Sequence, residues 1–329
     1  MLKFGVLGAG RIGKVHARTI AASGKAKVAY LADAMPKAAE DLAAEVGAKV
    51  ASVEDIIKAK DVDAILIATP TPTHADLIEA GSNAGKAVLC EKPVSLSVER
   101  IHQCLKVVEK NKTTLMIGFN RRFDPNFASL AARVRNGDAG EVEIATIISR
   151  DPAPPPAEYV ASSGGLYRDM MIHDFDLARF LVGEEFVVVN ALGSSLVDKA
   201  IGKAGDVDTA AVQMQTASGK IAVITNSRRA TYGYDQRIEV HGSKGMLRAG
   251  NIHNTTVEVA TADGFRGDPI LHFFTERYGQ AYSNEVLTFI DAVTNGKAVA
   301  PSGFDGLQAQ KLADAATVSW QTGKPVKVD

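Results

Sequence analysis

Five short apolar runs alternate with helix-like segments over residues 1–118, and no other feature of the chain restricts its fold as strongly. The runs are "KFGVLG", "AKVAYLAD", "VDAILIAT", "AVLCEK" and "TTLMIGF". Between them lie "RIGKVHARTIAASG", "KAAEDLAAEVG", "THADLIEAGSNAG" and "SVERIHQCLKVVEKN". Strands that are apolar on consecutive positions are buried on both faces, which is the condition of a parallel sheet covered by helices. Strand–helix alternation then implies right-handed βαβ crossovers and a doubly wound α/β domain.

The pattern changes near Gly118. After a helix around Pro125–Asn136, longer segments of β character follow, among them "EVEIATIISR", "FVVVNALGSSLV", "TAAVQMQTA", "KIAVITNSRRA", "QRIEVHGS", "GMLRAGN" and "TTVEVATA". Tight turns at Ser218-Gly219 and at Gly242-Ser243-Lys244-Gly245 suggest antiparallel hairpins. Two helical segments, "SNEVLTFIDAVTNG" and "GLQAQKLADAATVSWQTG", come last. The expected architecture is an N-terminal Rossmann domain over residues 1–118, followed over residues 119–329 by an α+β domain with a large open, mostly antiparallel sheet. Two domains also suit 329 residues, more than one core usually holds.

Composition narrows the function classes. A net charge of -1 offers no basic surface for nucleic acid or anionic lipid. No apolar run approaches the roughly 20 residues needed to span a bilayer. The start, "MLKFGVLGAGRIG", lacks a small-residue cleavage site and reads as a strand and turn rather than a signal peptide. Two cysteines, Cys90 and Cys104, suit a reduced, cytoplasmic protein and stand in no metal-ligand spacing, so no metal is expected.

Gly8, Gly10 and Gly13 form G-x-G-x-x-G between the first strand and its helix, with Arg11 and Ile12 inside the motif. A strand that turns sharply into a helix brings backbone N–H groups and the positive end of the helix dipole to one point. Glycine there lets a pyrophosphate approach the backbone. Asp33 ends the second strand about 20 residues on, where an acid takes a ribose 2′-OH. Its carboxylate would repel a 2′-phosphate and no arginine follows it, so NAD is the expected cofactor, although Lys37 leaves NADP use open.

Further candidates sit at the carboxyl ends of later strands, where open α/β sheets bind ligands. Thr69 and Pro70 open "TPTPTH", in which His74 either contacts the cofactor or starts a helix. "EKP" places Glu91 and Lys92 at the next strand end, as a functional pair or as an exposed charge pair. In the second domain, "DMMIHDFDLARF" from Asp169 reads as a helix that puts Asp169, His173 and Asp176 on one face. Removing hydride from an alcohol carbon leaves a proton on oxygen. Histidine is suited to accept it near neutral pH, with an aspartate to orient the ring.

The motifs "GAGRIGKVHA", "ATPTPTH", "CEKP", "GFNRRFDP" and "GGLYRDMMIHDFD" together resemble the glucose-fructose oxidoreductase / inositol dehydrogenase (Gfo/Idh/MocA) family, in an order that covers most of the chain. Within it, "GFNRRFDP", "RDMMIHD" and "TYGYDQR" resemble members that oxidise myo-inositol at C2 to the inosose. The resemblance implies an NAD-dependent oxidoreductase in which Lys92, Asp169 and His173 are catalytic. Asn120, Arg122, Asp176 and Tyr234 would bind substrate beside them, and a homotetramer is expected. Other polyols and sugars, scyllo-inositol, glucose and xylose among them, stay open as substrates. A dinucleotide-binding regulator without turnover and a glycosidase with an NAD redox cycle are the competing classes.

Overall fold

A computed structural model describes residues 1–328. The chain forms two compact units. One comprises Met1–Asp124 with Gln280–Gln310, the other Pro125–Gly279 with the chain from Lys311 on.

The first unit runs β1 (Leu2–Leu7), α1 (Arg11–Ala22), β2 (Ala26–Ala32), α2 (Pro36–Val46), β3 (Lys49–Val50), α3 (Val53–Lys58), β4 (Ala64–Ile67), α4 (His74–Asn83), β5 (Ala87–Glu91), α5 (Val98–Lys110) and β6 (Leu115–Gly118). The six strands form one sheet in the order β3-β2-β1-β4-β5-β6, parallel throughout. All four residues of β4 and of β6 are buried, as uninterrupted apolar runs require. Strand order reverses between β1 and β4, and a doubly wound sheet opens a ligand crevice beyond the strand ends at such a point.

The second unit contains α6 (Pro125–Arg135), β7 (Val142–Arg150), α7 (Ala157–Ser163), α8 (Gly165–Asp169), α9 (Ile172–Val182), β8 (Phe186–Ser194), α10 (Lys199–Lys203), β9 (Thr209–Thr216), β10 (Ile221–Ser227), β11 (Asp235–Gly242), β12 (Gly245–Ala249), β13 (Glu258–Thr261), β14 (Gly264–Gly267) and α11 (Phe274–Arg277). Then follow α12 (Gly279–Asn295), α13 (Gly303–Thr322) and β15 (Val326–Lys327). The large sheet has the order β12-β11-β7-β10-β9-β8-β15, and β13 pairs with β14 apart from it. It is antiparallel except where β10 runs parallel to β7. Strand β9 alternates buried and exposed positions, so one face of the sheet is packed and the other open. The expected mostly antiparallel open sheet is present. Among the described residues, no helix is long and apolar enough to cross a membrane.

Two expectations need correction. A single cut after residue 118 does not describe the compact units, because α12 returns to the first. Its Val286, Phe289 and Ile290 join Phe4, Val6, Leu66 and Leu89 in one core, with the Phe289 ring 5.8 Å from that of Phe4. Three residues of the apolar stripe of α12 pack in this core, and truncating such a phenylalanine costs about 3–5 kcal/mol. Second, "DMMIHDFDLARF" is not one helix. α8 ends at Asp169, Met170 and Met171 form a turn, and α9 begins at Ile172. Met170 and Met171 are both buried, and both their N–H groups donate to Leu166 O, which closes α8 before α9 starts. Asp169 and His173 therefore belong to successive helices rather than to one helical face.

Candidate active site

The glycine-rich turn divides its work among three residues. Gly8 has φ +107, and a Cβ there would lie 2.4 Å from Ala68 O. A Cβ at Gly13 would lie 2.1 Å from Gly8 O, so this glycine lets helix and strand pack. At Gly10 a Cβ would meet nothing within 4 Å, and φ is an ordinary -67. Among the described residues nothing demands glycine at this exposed position. A ligand phosphate approaching the backbone does. Gly10 also opens α1 without a side-chain cap, which leaves the first N–H groups of the helix available to an anion.

Asp33 completes this cradle. Its Oδ2 accepts the Ala9 N–H (2.6 Å) and its Oδ1 accepts the Met35 N–H (2.7 Å). A carboxylate has about four acceptor sites, so capacity remains for a ribose hydroxyl. The neighbouring Ala34 and Met35 are exposed and carry no cation for a 2′-phosphate. Arg11 is exposed and Ile12 half-buried at the start of α1. These residues fit a dinucleotide.

His74 is buried at 2% exposure and stands at the first residue of α4, as its helix-start reading expected. Its Nδ1 is 2.7 Å from Pro93 O and its Nε2 is 2.8 Å from Thr69 O. The ring ties the loop after β4, with Thr69 and Pro70, to the loop after β5. Both ring nitrogens face protein carbonyls, so the ring serves as a tie between these two loops.

Lys92 follows the last residue of β5 and is half-buried. The neighbouring Glu91 carboxylate is buried and meets His16 Nε2 at 2.7 Å. Glu285 of α12 lies in the same buried region, fully shielded from solvent. Burial, and then the charge of Glu91, pushes its carboxyl well above the usual carboxylate range. Asn120, in a short 3-10 turn after β6, is buried. Arg122 of the same turn donates to Asp305 (2.8 Å), so protein already holds part of its guanidinium.

In the second unit, Gly164 and Gly165 have φ +89 and +84. A Cβ at Gly165 would lie 2.6 Å from Asp206 Oδ1, and the Asp206 carboxylate accepts the Leu166 N–H at the start of α8. Burial raises the Asp206 carboxyl above its ordinary value. Asp169, at the end of α8, accepts from Tyr159 O–H (3.1 Å) and lies 3.8 Å from the guanidinium of Arg228, which is only 2% exposed.

His173 is half-buried in the first turn of α9, and Asp174 beside it anchors the helix. Asp174 Oδ1 accepts from Ser149 O–H of β7 (2.6 Å) and Oδ2 from Asn226 Nδ2 of β10 (2.9 Å), all buried. Charge-assisted bonds of this kind are the strong ones and hold α9 in register on the sheet. Asp176 is 1% exposed, with Arg179 of the same helix 3.8 Å away. Tyr234 is buried edge-on against Tyr278, with ring centroids 5.9 Å apart.

Sequence reading missed His16, Glu285, Arg228 and Asp174. For Glu285 a signal existed. It falls four residues after Ala281 and four before Phe289, on the apolar stripe of its helix. For Arg228 and Asp174 the local sequence carries none.

Comparison with known proteins agrees with this organisation. The family model described as "Oxidoreductase family, NAD-binding Rossmann fold" matches residues 2–119, and the "GFO/IDH/MocA C-terminal domain" model matches residues 127–248. The chain is 55% identical to the inositol 2-dehydrogenase of Rhizobium meliloti strain 1021, over 97% of this chain and 96% of the relative. It is 44% identical to the myo-inositol 2-dehydrogenase of Thermotoga maritima, over 100% and 99%. The crystal structure of scyllo-inositol dehydrogenase from Lactobacillus casei, with bound NAD(H) and scyllo-inositol, superposes with a TM-score of 0.93 at 32% identity, covering 100% of this chain and 99% of that one.

Proposed function

The chain belongs to the GFO/IDH/MocA family of oxidoreductases, and on that premise we propose that it oxidises myo-inositol at C2 to 2-keto-myo-inositol with NAD. The observation that carries this reading is the uncapped, ligand-ready turn at Gly10 with Asp33 behind it, in a chain 55% identical to an inositol 2-dehydrogenase.

NAD, when bound, supplies the acceptor for the hydride. The chain's residues handle the proton and the hydroxyls. His173 takes the proton of the reacting hydroxyl as general base. Asp169 orients the imidazole and stabilises the imidazolium that forms. Lys92 holds the reacting oxygen. Asn120, Arg122, Asp176 and Tyr234 serve the remaining hydroxyls, which a polyol site must match because it rejects analogues that lack them. Residues 1–118 carry the cofactor role and the later residues the substrate role. The larger sheet exposes Val187, Leu192, Ile221 and Met246, which supports a homotetramer as the working form. Its two free, buried cysteines suit the cytoplasm.

Scyllo-inositol is the second reading, favoured by the likeness to the Lactobacillus casei enzyme. Steady-state NADH formation decides between the two. With myo-inositol, scyllo-inositol, glucose and xylose as substrates and either NAD or NADP, myo-inositol with NAD is expected to give the highest kcat/KM. H173N, D169N and K92M are expected to retain NAD binding and lose turnover. Near-normal turnover by H173N at saturating NAD would remove His173 as the base.

A further inference from the structure

We propose that Glu285 is a positioning residue for Lys92, acting through His16 and Glu91 across one buried water held between Glu285 and His16. The proposal rests on the reading of Lys92 as the residue that holds the reacting hydroxyl.

Both carboxyl oxygens of Glu285 are buried without a hydrogen-bond partner, and so is Nδ1 of His16. Each of the two side chains is 0% exposed. Buried polar groups in native proteins are nearly all satisfied, and orphans close together are commonly satisfied by an internal water with two to four polar neighbours. The elements place these orphans on facing surfaces. Tyr282, three residues before Glu285 on α12, sets its ring 5.4 Å from the His16 ring at 83°. Residues three apart share a helix face, so the face that meets His16 is the one that carries Glu285.

Donors and acceptors close into one chain. His16 Nε2 faces the Glu91 carboxylate, an acceptor, so Nε2 carries the proton and Nδ1 is left to accept. Burial and the nearby Glu91 charge favour the neutral acid form of Glu285, whose O–H is a donor. The order is Glu285 O–H to water, water to His16 Nδ1, and His16 Nε2–H to Glu91 Oε1. Gly118 of β6 leaves room for the other side of this carboxylate, since a Cβ there would lie 3.0 Å from Glu91 Oε2. The His16 contact holds the buried carboxylate of the last residue of β5 in place. Lys92 leaves the strand from that fixed point.

The test uses E285L and E285Q in the full chain, with K92M alongside. E285L is expected to fold and to keep its KM for NAD, while kcat falls about tenfold or more, the usual cost of losing a supporting hydrogen bond behind a functional group. E285Q, neutral and still a donor, is expected to return kcat close to wild type. The 15N resonance of His16 Nδ1 should move in E285L and stay in E285Q. Wild-type kcat in E285L, an E285Q as impaired as E285L, or an unmoved His16 resonance would each overturn the proposal. If E285L does not fold, a high-resolution crystal structure of the wild type decides: an ordered water bonded to both Glu285 and His16 Nδ1 supports the bridge, and its absence overturns it. Full turnover by K92M would overturn the Lys92 reading and the positioning role with it, while the His16 resonance and the water still test the bridge by themselves.

Discussion

Arg228 brings its guanidinium to 3.8 Å from the carboxylate of Asp169, in a place where the arginine is almost wholly shielded from water. The same guanidinium acts on Asp206, whose charge also opposes that of Asp169. One buried cation thus acts on two acids, Asp169 at the end of α8 and Asp206 against its start. Removing it leaves two like charges in a medium that screens poorly. R228M is expected to lose about 3–5 kcal/mol of stability, the usual cost of leaving a buried charge uncompensated. The double variant R228M/D206N should recover part of the loss, with a coupling of about 0.5–3 kcal/mol in urea unfolding. Strict additivity would show that Arg228 does not balance these acids.

Gly10 and Gly13 belong to one motif and should fail differently. G13A sets a methyl group 2.1 Å from a backbone oxygen, so it is expected to lower stability by about 1–3 kcal/mol or more, visible as a lower Tm without any ligand. G10A meets no protein atom and should melt like the wild type. Its NAD affinity should fall about tenfold or more, or ~1.4 kcal/mol, in a calorimetric titration. Equal NAD affinity in G10A and wild type would place the pyrophosphate elsewhere.

Asp33 holds two backbone N–H groups of the cradle. D33A loses both and removes the charge that repels a 2′-phosphate. The KM for NAD should rise about tenfold and the preference for NAD over NADP should narrow, each hydrogen bond to a charged group being worth about 1.5–3 kcal/mol. An unchanged NAD/NADP ratio of kcat/KM in D33A would assign the discrimination to another residue.

The carboxyl of Glu285 sits well above its ordinary value of 4.5 when folded, raised by burial and by Glu91. The folded state therefore binds the proton more tightly than the unfolded state. Below about pH 4.5 both states are protonated and the group does not alter stability with pH. As pH rises further the unfolded chain releases its proton first, so stability declines until pH passes the folded value. E285Q has no such proton to lose. The Tm of E285Q relative to wild type should therefore grow as pH rises from about 4.5 into the neutral range. A constant difference across that interval would mean that Glu285 is not held protonated.

Much of the first unit was legible in the sequence, because parallel strands buried on both faces announce themselves as unbroken apolar runs. "VDAILIAT" and "TTLMIGF" contain β4 and β6, and the glycine spacing marked the turn between β1 and α1 that Asp33 braces. Helix periodicity also marked α12, but it could not say which unit would cover its apolar stripe. That choice depends on a surface presented by Phe4, nearly three hundred residues away. The break between α8 and α9 was hidden for a related reason. Asp169 to His173 has helical spacing, and nothing in the local sequence marks the turn at Met170 and Met171 that separates α8 from α9.

The sequence by itself determined what depends on local order: which segments become strands and helices, where glycine must stand, and which side chains with acid-base capacity end a strand or open a helix. Tertiary structure alone decided what depends on contact between distant residues. It set His16 against Glu91, buried Glu285 behind them, and brought Arg228 to Asp169. The physical reason is that hydrophobic periodicity is written along the chain, whereas the partner of a buried charge is fixed only once the core has closed around it and water can no longer serve instead.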